Sequence, residues 1–298
     1  MNAAAAHRAG ILLAIVAAFG FSFKAILIKL AYPYGVDAIT LLVLRMAFAL
    51  PVFAWVGFSS SRSAPALTGK DWLMLFGLGA LGYYGASILD FVGLQYISAG
   101  LERLILFTYP TLTLLLGVVL HQRRITSRQW VAVALCYLGI ALAFAHDLHA
   151  SGDVTAVLTG AAFVFGSSIC YAAYLSGSAG MIERLGTARF TALAMLISTT
   201  ATFLHFTLTR PFAALLQPWP VYAYGATMAL VCTVLPVFAQ SAAIRRIGSG
   251  EAALIGMLGP LLTIAFAALL LDEGMSTLQV AGMALVLAGV AQISRRRP

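Results

Sequence analysis

The chain has 298 residues, of which 61% are hydrophobic and only 9% are charged, and its mean hydropathy is +0.96. A soluble domain carries about 25% charged residues and a disordered chain is poor in apolar ones, so both classes are excluded. The net charge of +8 alone would suit a nucleic acid or an anionic membrane surface as partner. Apolar runs of about 20 residues recur from end to end and indicate a polytopic membrane protein, not an enzyme.

Ten membrane-spanning helices are predicted from the limits of these apolar runs. They cover residues 9–31, 36–58, 71–96, 98–120, 128–146, 154–177, 187–208, 219–243, 249–271 and 277–294. Glycine and proline mark turns between them at 32–35, 151–153, 218–220 and 272–274. The first run contains Lys24 and Lys29 and no cleavage-site pattern follows it, so we interpret it as a span and not as a signal peptide.

The positive charges are distributed unevenly between the loops. If the N-terminus is cytoplasmic, thirteen of the 18 Lys and Arg residues fall in cytoplasmic segments, and Arg210 alone falls in an opposite loop. Because cytoplasmic loops retain Lys and Arg, we predict an inner-membrane protein with both termini in the cytoplasm. The net charge then faces anionic lipid headgroups, and no nucleic-acid partner is predicted.

An internal repeat relates the two halves of the chain at an offset of 150 residues. Residues 97–141 and 247–291 align without a gap and are identical at 13 of 45 positions, against roughly 4 expected from composition. Five spans in each half invert the second half, so 1–147 and 148–298 are predicted as an inverted 5+5 repeat of an all-α membrane protein. This architecture is typical of secondary transporters, and the alternative is a duplicated receptor or scaffold.

Ionisable residues inside predicted spans are candidates for function because they are costly in a membrane. Lys24 and Asp90 both lie on the order of 6–10 Å outward of their span centres and could pair. Two interpretations stay open: a fixed ion pair that closes the outer side of the bundle, and a gate in which Lys24 binds a substrate carboxylate. Arg45 is interpreted as structural anchoring, whereas Glu102 and Arg103 are predicted to reach headgroup water.

Polar and aromatic side chains recur at helical spacing on three predicted spans. The faces are Tyr83, Ser87 and Asp90 in span 3, Ser167, Tyr171, Tyr174 and Ser178 in span 6, and Thr233, Pro236 and Gln240 in span 8. The offset superimposes span 3 on span 8 and span 1 on span 6, which predicts a shared interior cavity. The alternatives for the tyrosines are an interfacial belt, especially for Tyr174, and interhelical hydrogen bonds. The predicted substrate-binding residues are Phe21, Lys24, Tyr83, Ser87, Asp90, Phe107, Tyr109, Ser167, Tyr171, Tyr174, Thr233 and Gln240.

Prolines interrupt three predicted spans, at Pro110, Pro236 and Pro260. Each removes one backbone donor and kinks its helix, which frees a carbonyl to face a cavity. Because Pro110 and Pro260 are repeat partners, we interpret them as paired hinges. The sequence has no metal-ligand spacing and no phosphate-binding loop, so neither a metal, a cofactor nor ATP-driven transport is predicted.

Several stretches match a known pattern. They are Leu41–Arg45, Gly93–Ile97 through Tyr109-Pro110, Gln129–Gly139, Ala243–Ile247, Gly259-Pro260, and Asp272-Glu273 through Gly289. In these stretches the chain resembles the EamA-type ten-helix permeases of the drug/metabolite transporter superfamily, and within it the YddG-type exporters of aromatic amino acids. That family often has Glu at the end of the fourth span, where this chain reads His121-Gln122-Arg123, although the second half keeps Glu273.

We therefore predict a secondary transporter in the lipid bilayer that exports small metabolites by alternating access. The resemblance implies amino acids, including aromatic ones, as substrates. The alternatives are a broad drug or metabolite exporter and a nucleotide-sugar or sugar-phosphate exchanger, which needs basic groups along its path. The sequence leaves the coupling ion and the oligomeric state open.

Overall fold

The computed structural model describes residues 3–62, 64–121, 126–274 and 276–294. Within these residues the regular structure is helical, without strands. The α-helices are α1 Ala3–Ala31, α2 Ala38–Ser61, α3 Gly69–Gly79, α4 Ala86–Gly93, α5 Ala99–Leu106, α6 Tyr109–His121, α7 Ser127–Ser151, α8 Val154–Leu185, α9 Thr187–Thr209, α10 Trp219–Ala229, α11 Leu235–Gly256, α12 Leu258–Leu270 and α13 Thr277–Ser294. Two π-helical segments, Ala80–Gly85 and Leu230–Val234, join α3 to α4 and α10 to α11.

Eight helical stretches of the described chain are long and apolar enough to cross a membrane. They are Ala5–Tyr34, Ala38–Ser61, Gly69–Gly93, Ala99–Gly117, Gln129–His149, Val154–Leu185, Thr187–Thr209 and Trp219–Ile247. Two shorter apolar helices follow, Leu258–Leu270 and Thr277–Gln292. The all-helical membrane architecture is thus confirmed. Ten full-length spans are not, because the last two helices are shorter than the roughly 20 residues that a bilayer core requires.

The loop predicted between spans 8 and 9 is helical instead. Helix α11 continues to Gly256, so the predicted span 249–271 is divided between the end of α11 and the 13-residue α12. This stretch has no proline to end the helix, and Arg246 Nη1 donates to the carbonyl of Ala242 at 3.0 Å. The break comes at Met257, whereas in the first half the chain leaves the helix at Leu94 and restarts at α5.

The turns predicted at 32–35 and 151–153 lie where helices end. Gly35 and Gly152 have φ angles of 82° and 67°, a left-handed conformation that glycine adopts without strain. The next helices then begin at acidic N-caps: Asp37 accepts from the backbone of α2, and Asp153 accepts from Ala156 N at 3.0 Å. Both predicted turns are confirmed.

The two π-helical segments begin 150 residues apart, at Ala80 and Leu230. Within them the backbone bonds run from residue i to i−5, as from Ala86 N to Leu81 O and from Leu235 N to Leu230 O. Each π turn adds a residue to the helix and re-aims the side chains that follow it. Both segments contribute to the central cavity described below.

Helices at equivalent positions in the two halves pack on each other, α2 against α9 and α7 against α13. The contact between α7 and α13 is close because glycines face it. A Cβ on Gly139 would collide with the carbonyl of Gly282, and a Cβ on Gly289 would lie 2.6 Å from the carbonyl of Ala132. Small residues of this kind let membrane helices approach closely.

Polar pairs connect the helix ends at both faces of the bundle. At one face, Arg210 Nε lies 3.3 Å from Asp37 Oδ1 and Lys29 Nζ lies 3.8 Å from Glu273 Oε1. At the other, Arg184 Nη2 lies 2.8 Å from Asp71 Oδ2, and Arg189 Nε donates to Ser61 Oγ at 3.2 Å. Each pair joins segments that the charge distribution assigns to the same side of the membrane.

Candidate functional site

A cavity of about 560 Å³ lies in the interior of the bundle. Its walls come from α1, α2, the two π segments, α4, α5, α6, α8, α9, α11, α12 and α13. The structure brings together on these walls all the substrate-binding candidates predicted from sequence: Phe21, Lys24, Tyr83, Ser87, Asp90, Phe107, Tyr109, Ser167, Tyr171, Tyr174, Thr233 and Gln240. The volume suits a small metabolite, since such sites range from about 300 to 1,000 Å³.

Two of the three predicted hinge prolines lie directly after breaks in the helices. Pro110 follows the turn at Phe107 and Thr108 between α5 and α6, and Pro260 follows the break at Met257. Pro236 is the second residue of α11, after the π segment. Pro110 lines the cavity, whereas Pro236 and Pro260 are not among the lining residues. The breaks at 107 and 257 are separated by the repeat offset of 150.

Aromatic rings form a continuous wall along one side of the cavity. Ring centroids are separated by 6.0 Å between Phe107 and Tyr109, 5.1 Å between Tyr109 and Tyr171, 6.0 Å between Tyr171 and Tyr174, and 5.0 Å between Tyr174 and Tyr83. These separations are typical of favourable aromatic packing. The wall presents both apolar ring faces and phenolic hydroxyls to a ligand.

Tyr174 belongs to this wall and not to an interfacial belt. Its side chain is buried, its ring stacks on Phe190, and its hydroxyl donates to the Tyr83 hydroxyl at 3.1 Å. Gly82 makes room for it, because a Cβ there would collide with the Tyr174 ring. The belt alternative for Tyr174 is therefore excluded.

Some polar side chains of the cavity make hydrogen bonds within the protein, and others make none with the described residues. Ser167 Oγ donates to the carbonyl of Ala86 at 2.7 Å and so ties α8 to α4. Thr233 Oγ1 donates to Met228 O at 2.9 Å, five residues back across the second π segment. The half-buried Ser87 and Gln240 make no side-chain hydrogen bond with the described residues, so their polar groups are free for a ligand.

Lys24 and Asp90 form the ion pair that their positions predicted. Lys24 Nζ lies 2.5 Å from Asp90 Oδ2 and 3.8 Å from Glu102 Oε1. Asp90 is 1% exposed, and the Lys24 side chain is 16% exposed and lines the cavity. The amine of Lys24 is thus already occupied by carboxylate, which removes much of its capacity to receive a substrate carboxylate.

The prediction that Glu102 and Arg103 reach headgroup water is wrong. Both are buried, at 0% and 5% exposure. Their helix α5 is packed on its other sides as well, with Leu101 and Leu104 also buried, so no path leads outward along its surface. Arg103 Nε donates to Thr263 Oγ1 at 2.9 Å, and its Nη2 donates to the carbonyl of Phe21.

Arg45 combines anchoring with an unused donor. Its Nε donates to Thr233 Oγ1 at 2.9 Å, and its guanidinium lies 5.6 Å from the centroid of the Phe91 ring. Arg45 is 6% exposed and lines the cavity, yet its Nη1 has no hydrogen-bond partner among the described residues. A buried cationic donor without an acceptor is costly, and a ligand carboxylate would satisfy it.

A smaller cavity of about 260 Å³ adjoins the first between α9 and α11. The two cavities share Thr187, Thr191, Val237 and Ser241. The smaller one also reaches Ala188 and Arg245. The combined space therefore extends toward the end of the bundle where α9 begins, which the charge distribution assigns to the cytoplasm.

The sequence profile of the EamA-like transporter family matches residues 8–145 and 158–295. This chain belongs to the EamA-like transporter family. The resemblance seen in the sequence is thus confirmed at the family level, and the chain is a multi-pass membrane protein of a transporter family, not of an enzyme family.

Individual proteins are similar over nearly the whole chain. The uncharacterized transporter YcbK of Bacillus subtilis (strain 168) is 31% identical over 283 residues, which cover 92% of this chain and 89% of that protein. An uncharacterized transporter of Synechocystis is 23% identical over 316 residues, which cover 96% and 93%. One crystal structure superposes with a TM-score of 0.62 and 17% identity over 96% of each chain, which shows a shared fold.

Proposed function

We propose that this EamA-family member is a secondary transporter that moves small carboxylated metabolites, amino acids including aromatic ones, by alternating access. The observation that carries this proposal is the unpartnered guanidinium nitrogen of Arg45 in a cavity walled by aromatic rings. A carboxylate fits the guanidinium as a charge-assisted acceptor. The rings of Tyr109, Tyr171 and Tyr174 offer apolar faces for the side chain of the same substrate.

The charges of the cavity favour a single carboxylate over the substrates of the alternative functions. Among the charged lining residues, Arg103 donates through Nε to Thr263 and through Nη2 to Phe21, and Lys24 donates to Asp90. The buried and unpartnered Nη1 of Arg45 suits one carboxylate, whereas a diphosphate needs several charged donors. A cationic drug would meet an excess of positive charge, because Lys24, Arg45 and Arg103 line the cavity with Asp90.

We further propose ten spans in two inverted halves, residues 1–147 and 148–298, with both termini in the cytoplasm of an inner membrane. The π segments, the breaks at 107 and 257, and the packing of equivalent helices all agree with an offset of 150 residues. The two ranges matched by the family profile have the same offset. Inverted halves around a midplane site are a common basis for alternating access.

The function is tested by counterflow in proteoliposomes preloaded with amino acids, nucleotide sugars or cationic drugs. We expect exchange of labelled L-phenylalanine with unlabelled amino acids and little exchange with the other two classes. Protein-free liposomes are the control for leakage. Exchange only with cationic drugs or nucleotide sugars would contradict the substrate class, and no exchange with any class would identify a receptor or scaffold instead.

The membrane topology is tested by single cysteines in a variant without the native Cys136, Cys170 and Cys232. Ser61→Cys and Arg124→Cys should react with an impermeant thiol reagent from the cytoplasm only. Asp37→Cys, Asp153→Cys and Arg210→Cys should react from outside only. Position 124 lies outside the described residues, whereas α7 separates it from Asp153. Reaction of Arg124→Cys and Asp153→Cys from the same side would refute the arrangement.

The hinge role of Pro110 and Pro260 predicts a defect in rate and not in folding. Pro110→Ala and Pro260→Ala should each slow counterflow severalfold while the melting temperature changes little, because continuous helices at both breaks resist bending. The matched control is Pro51→Ala, since Pro51 lies within α2 at the exposed surface of the bundle. Wild-type rates in both hinge variants would show that the breaks do not move during transport.

A further inference from the structure

Two buried carboxyl groups meet where α1, α4 and α5 come together. Asp90 and Glu102 are 1% and 0% exposed, and their carboxyl groups face each other. Lys24 is the amine in contact with both, 2.5 Å from Asp90 and 3.8 Å from Glu102. Asp90 Oδ1 and both carboxyl oxygens of Glu102 nevertheless have no hydrogen-bond donor among the described residues.

A proton bound to the pair would explain the three unsatisfied oxygens. Ionised carboxylates only accept hydrogen bonds, so two of them facing each other repel and satisfy neither partner. One proton on Glu102 supplies a donor that Asp90 Oδ1 can accept. It also reduces the charge of the pair from two negative charges to one, which Lys24 balances.

None of the other charged or titratable groups among the described residues donates a hydrogen bond to either carboxyl group. From α5, Arg103 donates to Thr263 and Phe21, and from α2, Arg45 donates to Thr233. In the turn after α1, Tyr32 donates its hydroxyl to the carbonyl of Phe91. The remaining groups are Cys232 on the second π segment, which is buried and unpaired, and Asp147 and Glu273, which cap Ser98 and Ala99 at the start of α5.

We propose that the Asp90–Glu102 pair holds one proton that is exchanged for the ammonium group of the substrate during each transport cycle. This inference rests on the proposed function, because it assumes an amino acid bound at Arg45. Asp90 lines the cavity, whereas Glu102 lies behind it. With the proton bound, the charge of the pair is balanced by Lys24 and attracts no second cation.

Release of the proton to water in the cavity leaves two negative charges beside one lysine. The ammonium group then takes the place of the released proton as the positive charge beside Asp90, while Arg45 holds the carboxylate of the same molecule. Proton and substrate therefore compete for Asp90 and travel in opposite directions. An inward proton gradient would drive the amino acid out of the cell.

The first test uses the wild-type protein in weakly buffered detergent solution. Addition of L-phenylalanine should release about one proton per bound molecule, detected with a pH-sensitive dye. Binding measured in parallel by calorimetry separates the two proposals. Binding without proton release would overturn the exchange mechanism and leave the proposed function intact, whereas absence of binding to any amino acid would remove the proposed function itself.

The second test is the pH profile of counterflow. In the wild type the KM for L-phenylalanine should fall as pH rises through the titration of the pair. Glu102→Gln mimics the protonated pair, so its KM should be constant with pH and about tenfold above the wild-type value at high pH. Glu102→Asp keeps the acid and should restore a pH-dependent KM.

The matched control for Glu102→Gln is Glu183→Gln, the same chemical change at an exposed position at the end of α8. It should keep the wild-type profile. A wild-type pH dependence in folded Glu102→Gln would overturn the proposal. If that variant does not fold, a KM that does not change with pH in both the wild type and Glu102→Asp would overturn the proposal.

Discussion

Replacing Lys24 with alanine should remove most of the folded transporter from the membrane. Lys24 Nζ lies 2.5 Å from Asp90 and 3.8 Å from Glu102, and both acids are buried. Without the amine, neither acid has a cation within salt-bridge distance among the described residues. Removing one partner of a buried ion pair typically costs about 3–5 kcal/mol, a large share of the ~5–15 kcal/mol by which proteins are stable.

The companion variants separate a structural clamp from a substrate-binding lysine. Asp90→Ala leaves Lys24 beside Glu102 and should destabilise the protein less than Lys24→Ala. The double variant leaves Glu102 alone, which can keep its proton, so part of the lost stability should return. Thermal unfolding of all four proteins in detergent gives the coupling free energy, which we expect to be at least about 1 kcal/mol.

The control for this cycle is the more exposed pair of Lys29 and Glu273. Their side chains are 25% and 21% exposed, with a separation of 3.8 Å, so Lys29→Ala should cost at most about 1 kcal/mol. Strictly additive effects of Lys24→Ala and Asp90→Ala on stability and on transport would show that the two residues do not interact. Normal folding of Lys24→Ala with weakened amino-acid transport would instead assign Lys24 to the substrate.

Local periodicity explains why the cavity walls could be predicted from sequence. Side chains three, four and seven residues apart share one face of a helix, and the sequence places Tyr83, Ser87 and Asp90 in this pattern. The offset of 150 residues then aligns polar faces on different helices, although they are far apart in the chain. A face that is polar in an apolar helix has to turn inward, so such residues meet in the structure.

The parts that sequence reasoning missed depend on how helices pack. The distance of Glu102 from the end of its span is short enough for a long side chain to reach water, and only the packing around α5 prevents it. The π segments have no composition signal, because they differ from α-helix by one inserted residue. The charged residues around Arg245 are typical of a loop, so the sequence predicts a loop where α11 in fact continues.

The sequence predicts that Arg45 anchors the helices, and the structure shows in addition that one of its guanidinium nitrogens has no hydrogen-bond partner among the described residues. The sequence shows that an arginine lies near the middle of a predicted span. It does not show how many of the five N–H donors of this arginine find acceptors. The contact with Thr233 comes from a residue 188 positions away in the chain. Whether a donor remains unused is therefore a property of the folded bundle, and the unused donor of Arg45 supports the proposed contact with a carboxylate.

Arg45→Gln should raise the KM for L-phenylalanine by about 10- to 100-fold. A hydrogen bond to a charged group contributes about 1.5–3 kcal/mol, and every 1.4 kcal/mol is tenfold in affinity. Arg45→Lys keeps the charge but loses the planar fork that fits a carboxylate, so it should fall between the wild type and Arg45→Gln. The measurement is counterflow at varied substrate concentration, with the folded fraction checked by thermal unfolding.

Phenethylamine, which lacks the carboxylate of phenylalanine, shows whether the loss comes from the proposed contact. In the wild type it should compete far less well than L-phenylalanine, and in Arg45→Gln this preference should disappear because the carboxylate has lost its partner. Arg103→Gln is the contrasting variant: Arg103 Nε and Nη2 donate to Thr263 and Phe21, so it should lower stability without removing the preference. An equal loss of affinity for both compounds in Arg45→Gln would show that Arg45 does not bind the carboxylate.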